Sequence, residues 1–323
     1  MAGAPIKVAA RPDNDRRIGS FSLSGDKADM EQDSRTRTVS IVIAALNEGA
    51  TIGAIIAAIK AVDSFFEVIV VDDGSTDDTA VQAAKAGARV IRHPYNLGNG
   101  ASIKAAILAA QGDIVVMIDA DGQHPPEAIP ALLEPIGEYD MIVGARIPGS
   151  NTSPVRRFGN FLLNHIGSWI SGRKIDDLTS GFRAIKRKPL LEYLHLFPRR
   201  FSYPTTITMA MLQGNYFVKF VPIPGIKRRE FGQSSIKPVS DFLRFINIMA
   251  RLVIVFSPQR FFLPLSLTFV VFGLLMATYQ LVKHGAVLGS SVFLLISGLL
   301  FFCFGLIAEQ IAALRRERAA DRG

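Results

Sequence analysis

The sequence predicts an α/β fold, with a mostly parallel sheet followed by an interfacial helix and two transmembrane helices. In the first half of the chain, short apolar and β-branched runs alternate with helical segments. That alternation is typical of strand–helix–strand units whose strands are buried on both faces. Near the carboxyl terminus, residues 261–282 and 285–308 contain no Asp, Glu, Lys or Arg. Each run is long enough to cross a ~30 Å hydrocarbon core.

The elements follow one another in the order expected of right-handed crossovers. Strands are predicted at the short apolar runs 39–44, 66–71, 89–92, 114–118 and 141–144. Helices are predicted between the first four of them, over residues 52–61, 77–86 and 101–110. The second half is less regular, with helices predicted over 160–171 and 203–212, a loop and strand over 176–184, and a strand over 216–222.

The charges around the two apolar runs predict their orientation in a membrane. Eight Lys and Arg residues lie between residues 219 and 260, and four Arg residues follow the second run, whereas the connection between the runs offers only Lys283. Positive flanks remain in the cytoplasm, so we expect a multi-pass protein of the cytoplasmic membrane with its whole soluble domain inside. A pair of buried core helices is the alternative interpretation, which the length of the runs and the tight connection disfavour.

The net charge of +8 is explained by the same flanks, which attract anionic lipid headgroups. Nucleic-acid binding is the alternative for a basic chain, but no interleaving of aromatic and basic residues supports it. The single cysteine, Cys303, falls inside the second apolar run, so no disulfide framework exists. An amphipathic helix is expected before the first span, with a buried soluble helix as the alternative. The predicted divisions are a disordered tail at 1–37, an α/β domain at 38–235, an amphipathic juxtamembrane helix at 236–258, a transmembrane hairpin at 259–314 and a basic tail at 315–323.

Acidic residues follow three of the predicted strands. Asp119 and Asp121 lie just past the strand at 114–118, Asp72 and Asp73 end the strand at 66–71, and Glu48 follows the first strand. In parallel α/β sheets, ligands bind beyond the carboxyl ends of strands. Two carboxylates one residue apart can hold Mg²⁺ or Mn²⁺ against a diphosphate, and carboxylates can also accept hydrogen bonds from a base or ribose. The alternative is that these residues form solvated turns that cap the following helices.

Four motifs give the chain a family resemblance, and a fifth narrows it. Residues 39–48, 70–79, 96–104 and 118–126 resemble, in order and spacing, the inverting family 2 glycosyltransferases, and the segment 177–185 narrows the resemblance to one branch. Those enzymes have the GT-A fold, a Rossmann-like domain that binds nucleotide-diphosphate sugars. With two carboxyl-terminal spans, the chain is most similar to the branch of dolichol-phosphate mannose synthase and the bacterial polyprenyl-phosphate glycosyltransferases.

The resemblance implies a role for each matching residue. Nucleotide-binding positions would be Ala44, Leu46, Glu48, Asp73, Gly100, Asp119 and Ala120, with Gly98 and Asn99 allowing a close approach of the backbone. The metal site, for Mg²⁺ or Mn²⁺, would be formed by Asp119, Asp121 and Gln123. The acceptor phosphate would meet Arg146, Ser180 and Arg183, assisted by Arg156 or Arg157, and a mobile arm carrying Arg229, Ser234 and Lys237 would close over the donor phosphates.

The implied reaction is inverting transfer of a hexose-type sugar from a UDP- or GDP-linked donor to polyprenyl phosphate, catalysed by Asp121, Arg146 and Asp177. Because a lipid phosphate is already anionic, a general base is weakly supported, and the charge of Asp177 could instead organise Arg146 or Arg183. The partners would be a nucleotide sugar, a polyprenyl phosphate lipid and the membrane, with no nucleic acid. A homo-oligomer is compatible with the small hairpin anchor, and the sequence leaves that question open.

Three other functions compete with this prediction. Another membrane-bound family 2 enzyme could act on a different lipid or on a polysaccharide, although the Gln-x-x-Arg-Trp motif of processive synthases is absent from the sequence. A catalytically silent scaffold could keep the fold, against which the intact acidic motif argues. A dinucleotide-dependent dehydrogenase is disfavoured because the Gly98–Gly100 segment lacks the third glycine of that fingerprint.

Overall fold

The computed structural model describes residues 38–146, 154–198, 203–223, 253–254 and 256–320. The tail at 1–37, the predicted phosphate arm and nearly all of the predicted amphipathic helix lie outside these residues. Those expectations therefore remain predictions.

Seven strands in the part of the chain that the structure describes form one sheet. In chain order they are β1 (Val39–Ala45), β2 (Glu67–Asp72), β3 (Arg89–Arg92), β4 (Ile114–Met117), β5 (Met141–Arg146), β6 (Arg183–Lys186) and β7 (Val218–Ile223). Their spatial order is β3-β2-β1-β4-β6-β5-β7. Only β6 runs antiparallel, and it does so against both of its neighbours, β4 and β5. The predicted mostly parallel α/β sheet is thus confirmed.

Nine α-helices connect or follow these strands in the described parts of the chain. They are α1 (Gly49–Val62), α2 (Thr79–Lys85), α3 (Asn99–Ala109), α4 (Ile129–Leu133), α5 (Pro154–Ser171), α6 (Arg187–Tyr193), α7 (Tyr203–Gln213), α8 (Pro258–His284) and α9 (Gly289–Ala320). Short 3₁₀ turns occupy Pro126–Ala128, Glu134–Gly137 and Leu194–Leu196. The short helices α4 and α6 lack a readable period and were not predicted, and α5 begins six residues earlier than the sequence suggested.

The sheet is buried on both faces because successive side chains of each strand point to opposite sides. Ile41 and Ile43 of β1 pack with the apolar residues of α1, including Ile52 and Ile56. Val42 points the other way, into a second cluster formed with α3 and α7. These two layers hold the strand ends, and hence the loops that follow them, in fixed positions.

The last two helices, α8 and α9, form a hairpin that is long and apolar enough to cross a membrane, and most of its side chains are exposed. Glycines let the helices approach closely: a side chain at Gly298 would collide with Val270, and one at Gly273 with Leu295. Close contact through small residues is the usual packing of helices in lipid. The buried Gln280 accepts hydrogen bonds from the backbone N–H of Leu288 and the hydroxyl of Ser291, and so closes the turn.

Candidate active site

The loops that follow β1 and β2 are locked together. Asn47 adopts a left-handed backbone conformation, with φ of 56°. Its N–H donates to the hydroxyl of Ser75 at 2.9 Å, and its side-chain oxygen accepts from the N–H of Thr76 at 2.9 Å. The N–H of Glu48 donates to the hydroxyl of Thr79. This network orients the first two strand-end motifs toward the same edge of the sheet.

Asp73 anchors the loop that precedes α3. Its Oδ1 accepts from the N–H of Leu97 at 3.0 Å and lies 2.8 Å from Nδ1 of His93, and its Oδ2 accepts from the N–H of Gly98 at 2.8 Å. Burial alone would raise the pKa of this carboxyl, but these hydrogen bonds outweigh it and hold the pKa below the ordinary value. Asp73 is therefore an ionised anchor whose two oxygens both hold the loop.

The acidic pair that follows β4 lies beside this loop. The backbone N–H of Gln123 donates to Oδ1 of Asp121 at 3.1 Å. Asp119 is about one third exposed, and its Oδ2 lies 3.4 Å from Nε2 of the buried His124. Thr51, in the first turn of α1, donates to the carbonyl of Ala120 at 3.1 Å and so ties this loop to the first strand-end motif.

Arg146 and Asp177 are joined by a bidentate ion pair. The Nε of Arg146 lies 2.7 Å from Oδ2 of Asp177, and its Nη2 lies 2.9 Å from Oδ1. The hydrogen bond to Asp177 raises the pKa of Arg146, and the nearby charge of Asp119 adds to that effect. Burial would raise the pKa of Asp177, but its contacts with Arg146 dominate and lower it. Of the two roles considered for Asp177, the geometry therefore supports the organisation of Arg146.

Helix α5 supports the loop that carries Asp177. The side chain of Asn164 donates to the carbonyl of Asp176 at 2.7 Å and accepts from the N–H of Leu178 at 2.9 Å. On the outer face of the same helix, Phe161 and Trp169 are exposed. Arg260, at the start of α8, places its guanidinium 5.6 Å from the centre of the Trp169 ring. The Asp177 loop, α5 and the apolar hairpin thus form one connected chain of contacts.

Arg183 and Ser180, which the resemblance assigned to the acceptor phosphate, are both buried. Arg183 is fully buried, donates to the carbonyls of Ser180 and Pro204, and lies 3.1 Å from the hydroxyl of Thr208. Burial lowers its pKa to about 10. Ser180 is also buried, and its hydroxyl accepts from the N–H of Phe182. Neither residue lines the cavity described below, and their acceptor role stays a prediction. Arg183 instead ties the start of β6 to α7.

A cavity of about 680 Å³ opens where the strand-end loops meet. Most of the predicted nucleotide positions line it, together with the predicted metal ligand Asp121 and two residues, Ala45 and Asn96, that had no predicted role. The lining residues are Ala44, Ala45, Leu46, Glu48, Asp73, Asn96, Gly98, Asn99, Asp119, Ala120 and Asp121. Gly100 is buried in the first turn of α3, outside this lining, and the Gln123 side chain is also outside it.

Sequence reasoning assigned no role to His93, Asn96 or His124. His93 directly follows β3, so the rule that strand ends carry ligand-binding groups could have found it. Asn96 opens one of the motifs that carry the resemblance. The predicted arm residues Arg229, Ser234 and Lys237 lie outside the described residues, and the side chains of Arg156 and Arg157 are likewise outside the description. Their roles stay predictions.

The donor set suits a metal ion that is shared with a substrate. Across the described ranges, no group of three or more His, Cys, Asp or Glu residues could enclose an ion. Asp119 and Asp121 instead offer two carboxylates at the wall of an open cavity. Mg²⁺ typically binds through one or two carboxylates together with substrate phosphates, in preference to an all-protein cage. The residues present therefore fit a divalent ion that arrives with a diphosphate.

A mostly parallel sheet with paired carboxylates at a strand-end cavity suits an enzyme that binds a metal ion and a diphosphate, and the apolar hairpin is long enough to cross a membrane. The chain belongs to glycosyl transferase family 2. The model described as "Glycosyl transferase family 2" matches residues 40–194, and that described as "GtrB C-terminal hairpin" matches residues 257–314. The resemblance inferred from the motifs is thereby confirmed.

Relatives of known name agree with this assignment. The chain is 33% identical over 203 residues to dolichyl-phosphate hexose transferase of Haloferax volcanii, covering 62% of this chain and 87% of the relative. It is 29% identical over 308 residues to undecaprenyl-phosphate 4-deoxy-4-formamido-L-arabinose transferase of Sodalis glossinidius, covering 88% of this chain and 91% of the relative.

The fold is also that of solved glycosyltransferases. Glucosyl-3-phosphoglycerate synthase from Mycobacterium tuberculosis aligns with a TM-score of 0.55 and 22% identity, over 72% of this chain and 85% of that chain. That structure contains Mn²⁺, uridine diphosphate and glucosyl-3-phosphoglycerate. At this identity the likeness shows the fold, and the GT-A prediction is confirmed.

Proposed function

We propose that this protein transfers a hexose-type sugar from a UDP- or GDP-linked donor to a polyprenyl phosphate, with inversion at the anomeric carbon. One observation carries the proposal. Asp119, at the wall of the cavity, touches Gly181 of the loop that also carries Asp177, the partner of Arg146. A donor site and a cationic acceptor site therefore meet in a chain that ends in an apolar hairpin.

The cavity is the proposed donor site. Glu48 and Asp73 lie at its nucleotide end, where carboxylates can accept from a base or from ribose hydroxyls. Asp119 and Asp121 lie where the diphosphate would share the divalent ion, either Mg²⁺ or Mn²⁺. Such an ion, when bound, neutralises charge that develops on the leaving diphosphate. The Mn²⁺ and uridine diphosphate in the M. tuberculosis structure support this arrangement.

Arg146 is the proposed contact of the acceptor phosphate. It lies near Asp119 and is one quarter exposed, whereas Asp177 holds it through only two of its three guanidinium nitrogens. A planar guanidinium fixed in this way is suited to phosphate recognition. The names of the Haloferax and Sodalis relatives, which act on dolichyl and undecaprenyl phosphate, support a lipid phosphate as the acceptor.

The proposed reaction is a single in-line displacement. An oxygen of the lipid phosphate forms a bond to the anomeric carbon while the bond from that carbon to the diphosphate oxygen breaks. The nucleoside diphosphate leaves with the electron pair, and an α-linked donor gives a β-linked lipid phosphate sugar. The attacking phosphate is already anionic, so no side chain need remove a proton. This agrees with an Asp177 that is engaged by Arg146.

The basic flanks of the hairpin support a catalytic domain on the cytoplasmic side. The orientation can be tested because Cys303 is the only cysteine in the sequence. In a Cys303→Ser background, a membrane-impermeant maleimide added to whole cells should label His284→Cys, in the turn of the hairpin, and should not label Lys174→Cys, on the catalytic domain. Labelling of Lys174→Cys alone would show that the catalytic domain lies outside the cell and would contradict the proposed orientation.

The activity is tested with the full-length protein in lipid nanodiscs that contain undecaprenyl phosphate. A panel of UDP- and GDP-linked hexoses and aminopentoses is supplied, and products are identified by mass spectrometry, with the anomeric configuration read from NMR couplings. We expect one donor to give a β-linked lipid phosphate sugar in a reaction that EDTA abolishes. A panel without a lipid product, or an α-linked product, would contradict the proposal.

Two Asp→Asn variants distinguish the loss of a metal ligand from the loss of a negative charge elsewhere on the protein. Asp121→Asn should lower transfer by about 100-fold, because it removes a charge from the metal–diphosphate site. Asp78→Asn is the matched control: its carboxylate is exposed and accepts from Gln82, and its rate should stay close to that of the native protein. Full activity of Asp121→Asn would show that the metal site is assigned to the wrong residues.

A further inference from the structure

One oxygen of Asp119 is enclosed from two sides. Nε2 of His124 lies 3.4 Å from Oδ2 of Asp119. On another side lies the backbone of Gly181, where an added Cβ would stand only 2.4 Å from the same oxygen. That Cβ would also stand 2.9 Å from Oδ1, while the side chain as a whole is about one third exposed and lines the cavity. The Asp119 carboxylate is thus confined between His124 and Gly181, although its side chain is short and could otherwise rotate.

His124 is fixed in a way that suits this contact. Its ring is buried and stacks on the fully buried Phe182, with 5.3 Å between ring centres and 22° between planes. The other ring nitrogen, Nδ1, is buried and has no hydrogen-bond partner among the residues the structure describes. The ring therefore directs Nε2 alone toward a polar group, and that group is Asp119.

The chemistry of the contact determines which atom carries the proton. If Nε2 were a bare acceptor, two lone pairs would face each other across 3.4 Å. A proton on Nε2 instead makes the ring a donor to the carboxylate. The distance is long for a hydrogen bond, as contacts within active sites commonly are before the ligand binds.

We propose that His124 is a positioning residue, which donates from Nε2 to Oδ2 of Asp119 and holds that carboxylate in the orientation that receives the metal–diphosphate group. Gly181 confines the Asp119 carboxylate from the other side, because any side chain at that position would push Asp119 out of place. The inference rests on the proposed function. It adds a role for His124 and Gly181, which belong to two loops that are separated in the sequence.

Outer residues that orient a metal ligand typically change metal affinity by about 10- to 100-fold when they are replaced. We therefore expect His124→Phe, which keeps a stacking ring and loses the donor, to weaken Mn²⁺ binding by about tenfold. His124→Gln, which restores an N–H donor, should recover most of that loss. The conservative variant thus separates the hydrogen bond from the ring packing.

The measurement is a titration of the full-length protein, in nanodiscs with excess uridine diphosphate and no lipid acceptor, in which free Mn²⁺ is followed by electron paramagnetic resonance. Unfolding midpoints of each variant establish that it is folded. Gly181→Ala is a second, independent variant that disturbs Asp119 from the other side and should also weaken Mn²⁺ binding.

Native-like Mn²⁺ affinity in either folded variant, His124→Phe or Gly181→Ala, would overturn this inference and leave the proposed function intact. Failure of the native protein to bind Mn²⁺ with uridine diphosphate would overturn the inference and the metal dependence together. Recovery by His124→Gln combined with weak binding by Gly181→Ala would support the positioning role.

Discussion

Both carboxylate oxygens of Asp177 accept hydrogen bonds from the guanidinium of Arg146, and Oδ2 also accepts from the backbone N–H of Arg146 at 3.3 Å. Asp177 is almost fully buried, so its charge is compensated by the arginine rather than by water. A carboxylate held in this way is a poor proton acceptor, and its main effect is to fix the plane of the guanidinium.

Replacement of Asp177 by asparagine should therefore weaken both folding and transfer. Asp177→Asn leaves a partly buried arginine without its counter-charge, for which we expect a loss of about 3 kcal/mol in unfolding free energy. Asp176→Asn is the matched control, since Asp176 pairs with the well-exposed Lys174 and such surface pairs contribute about 0–1 kcal/mol. Urea unfolding of the two variants measures the difference, and equal losses would contradict the distinction between the pairs.

The ion pair also predicts a dependence of stability on pH. The pKa of Asp177 is below its ordinary value of 3.8 in the folded state, so its contribution is fully present above that value and is lost as pH falls through the folded pKa. The difference in unfolding free energy between native protein and Asp177→Asn should be constant from about pH 5 to pH 7 and should shrink below about pH 4. If the difference in unfolding free energy grew as the pH fell, the pKa of Asp177 would not be lowered in the folded state.

The loop before α3 should be sensitive to Gly74. This residue has φ of 78°, and a Cβ there would lie 2.7 Å from the carbonyl carbon of Tyr95. Gly74→Ala should therefore destabilise the protein and weaken binding of the nucleotide sugar, which calorimetry can measure. Gly172→Ala is the control, because Gly172 has φ of 69° with open space around it. It should show only the conformational cost of about 1–2 kcal/mol and unchanged binding.

The turn of the hairpin should depend on Gln280. Gln280→Leu removes the acceptor of the Leu288 N–H and the partner of the Ser290 hydroxyl, and we expect a loss of about 1 kcal/mol. Thr278→Val, which removes an exposed hydroxyl bonded within its own helix, should have little effect. Thermal unfolding in detergent compares the two. A native-like midpoint for Gln280→Leu would mean that the glycine contacts alone hold the helices together.

The central strands could be predicted well from the sequence because the apolar pattern that indicates each one lies within the strand itself. Ile41, Val42 and Ile43 are apolar at successive positions, which is sufficient to indicate a strand buried on both faces. The acidic residues at strand ends could be placed along one edge for the same reason, since parallel strands share the direction of their carboxyl ends.

The strand predicted within residues 176–184 overlaps β6, but its antiparallel direction and its place between β4 and β5 could not be found in this way. Strand β6 begins with Arg183, and a fully buried arginine is unexpected unless its partners are known. Those partners, the carbonyls of Ser180 and Pro204, depend on how a loop and a helix meet in space. The contact between Gly181 and Asp119 likewise cannot be predicted from the sequence, because the pairing of β4 with β6 brings the two residues together.

The three contacts that Asp73 makes with the 93–98 loop have a consequence for how tightly a donor can bind. A loop tied to a buried carboxylate has already lost most of its conformational freedom before any ligand arrives. Asn96 and Asn99 lose their conformational entropy when the protein folds. Binding of the nucleotide sugar then costs little further entropy, because the loop is already ordered. The proposed donor site is therefore preorganised, and donor affinity should respond more to the loss of these Asp73 contacts than to the loss of any single contact with the nucleotide.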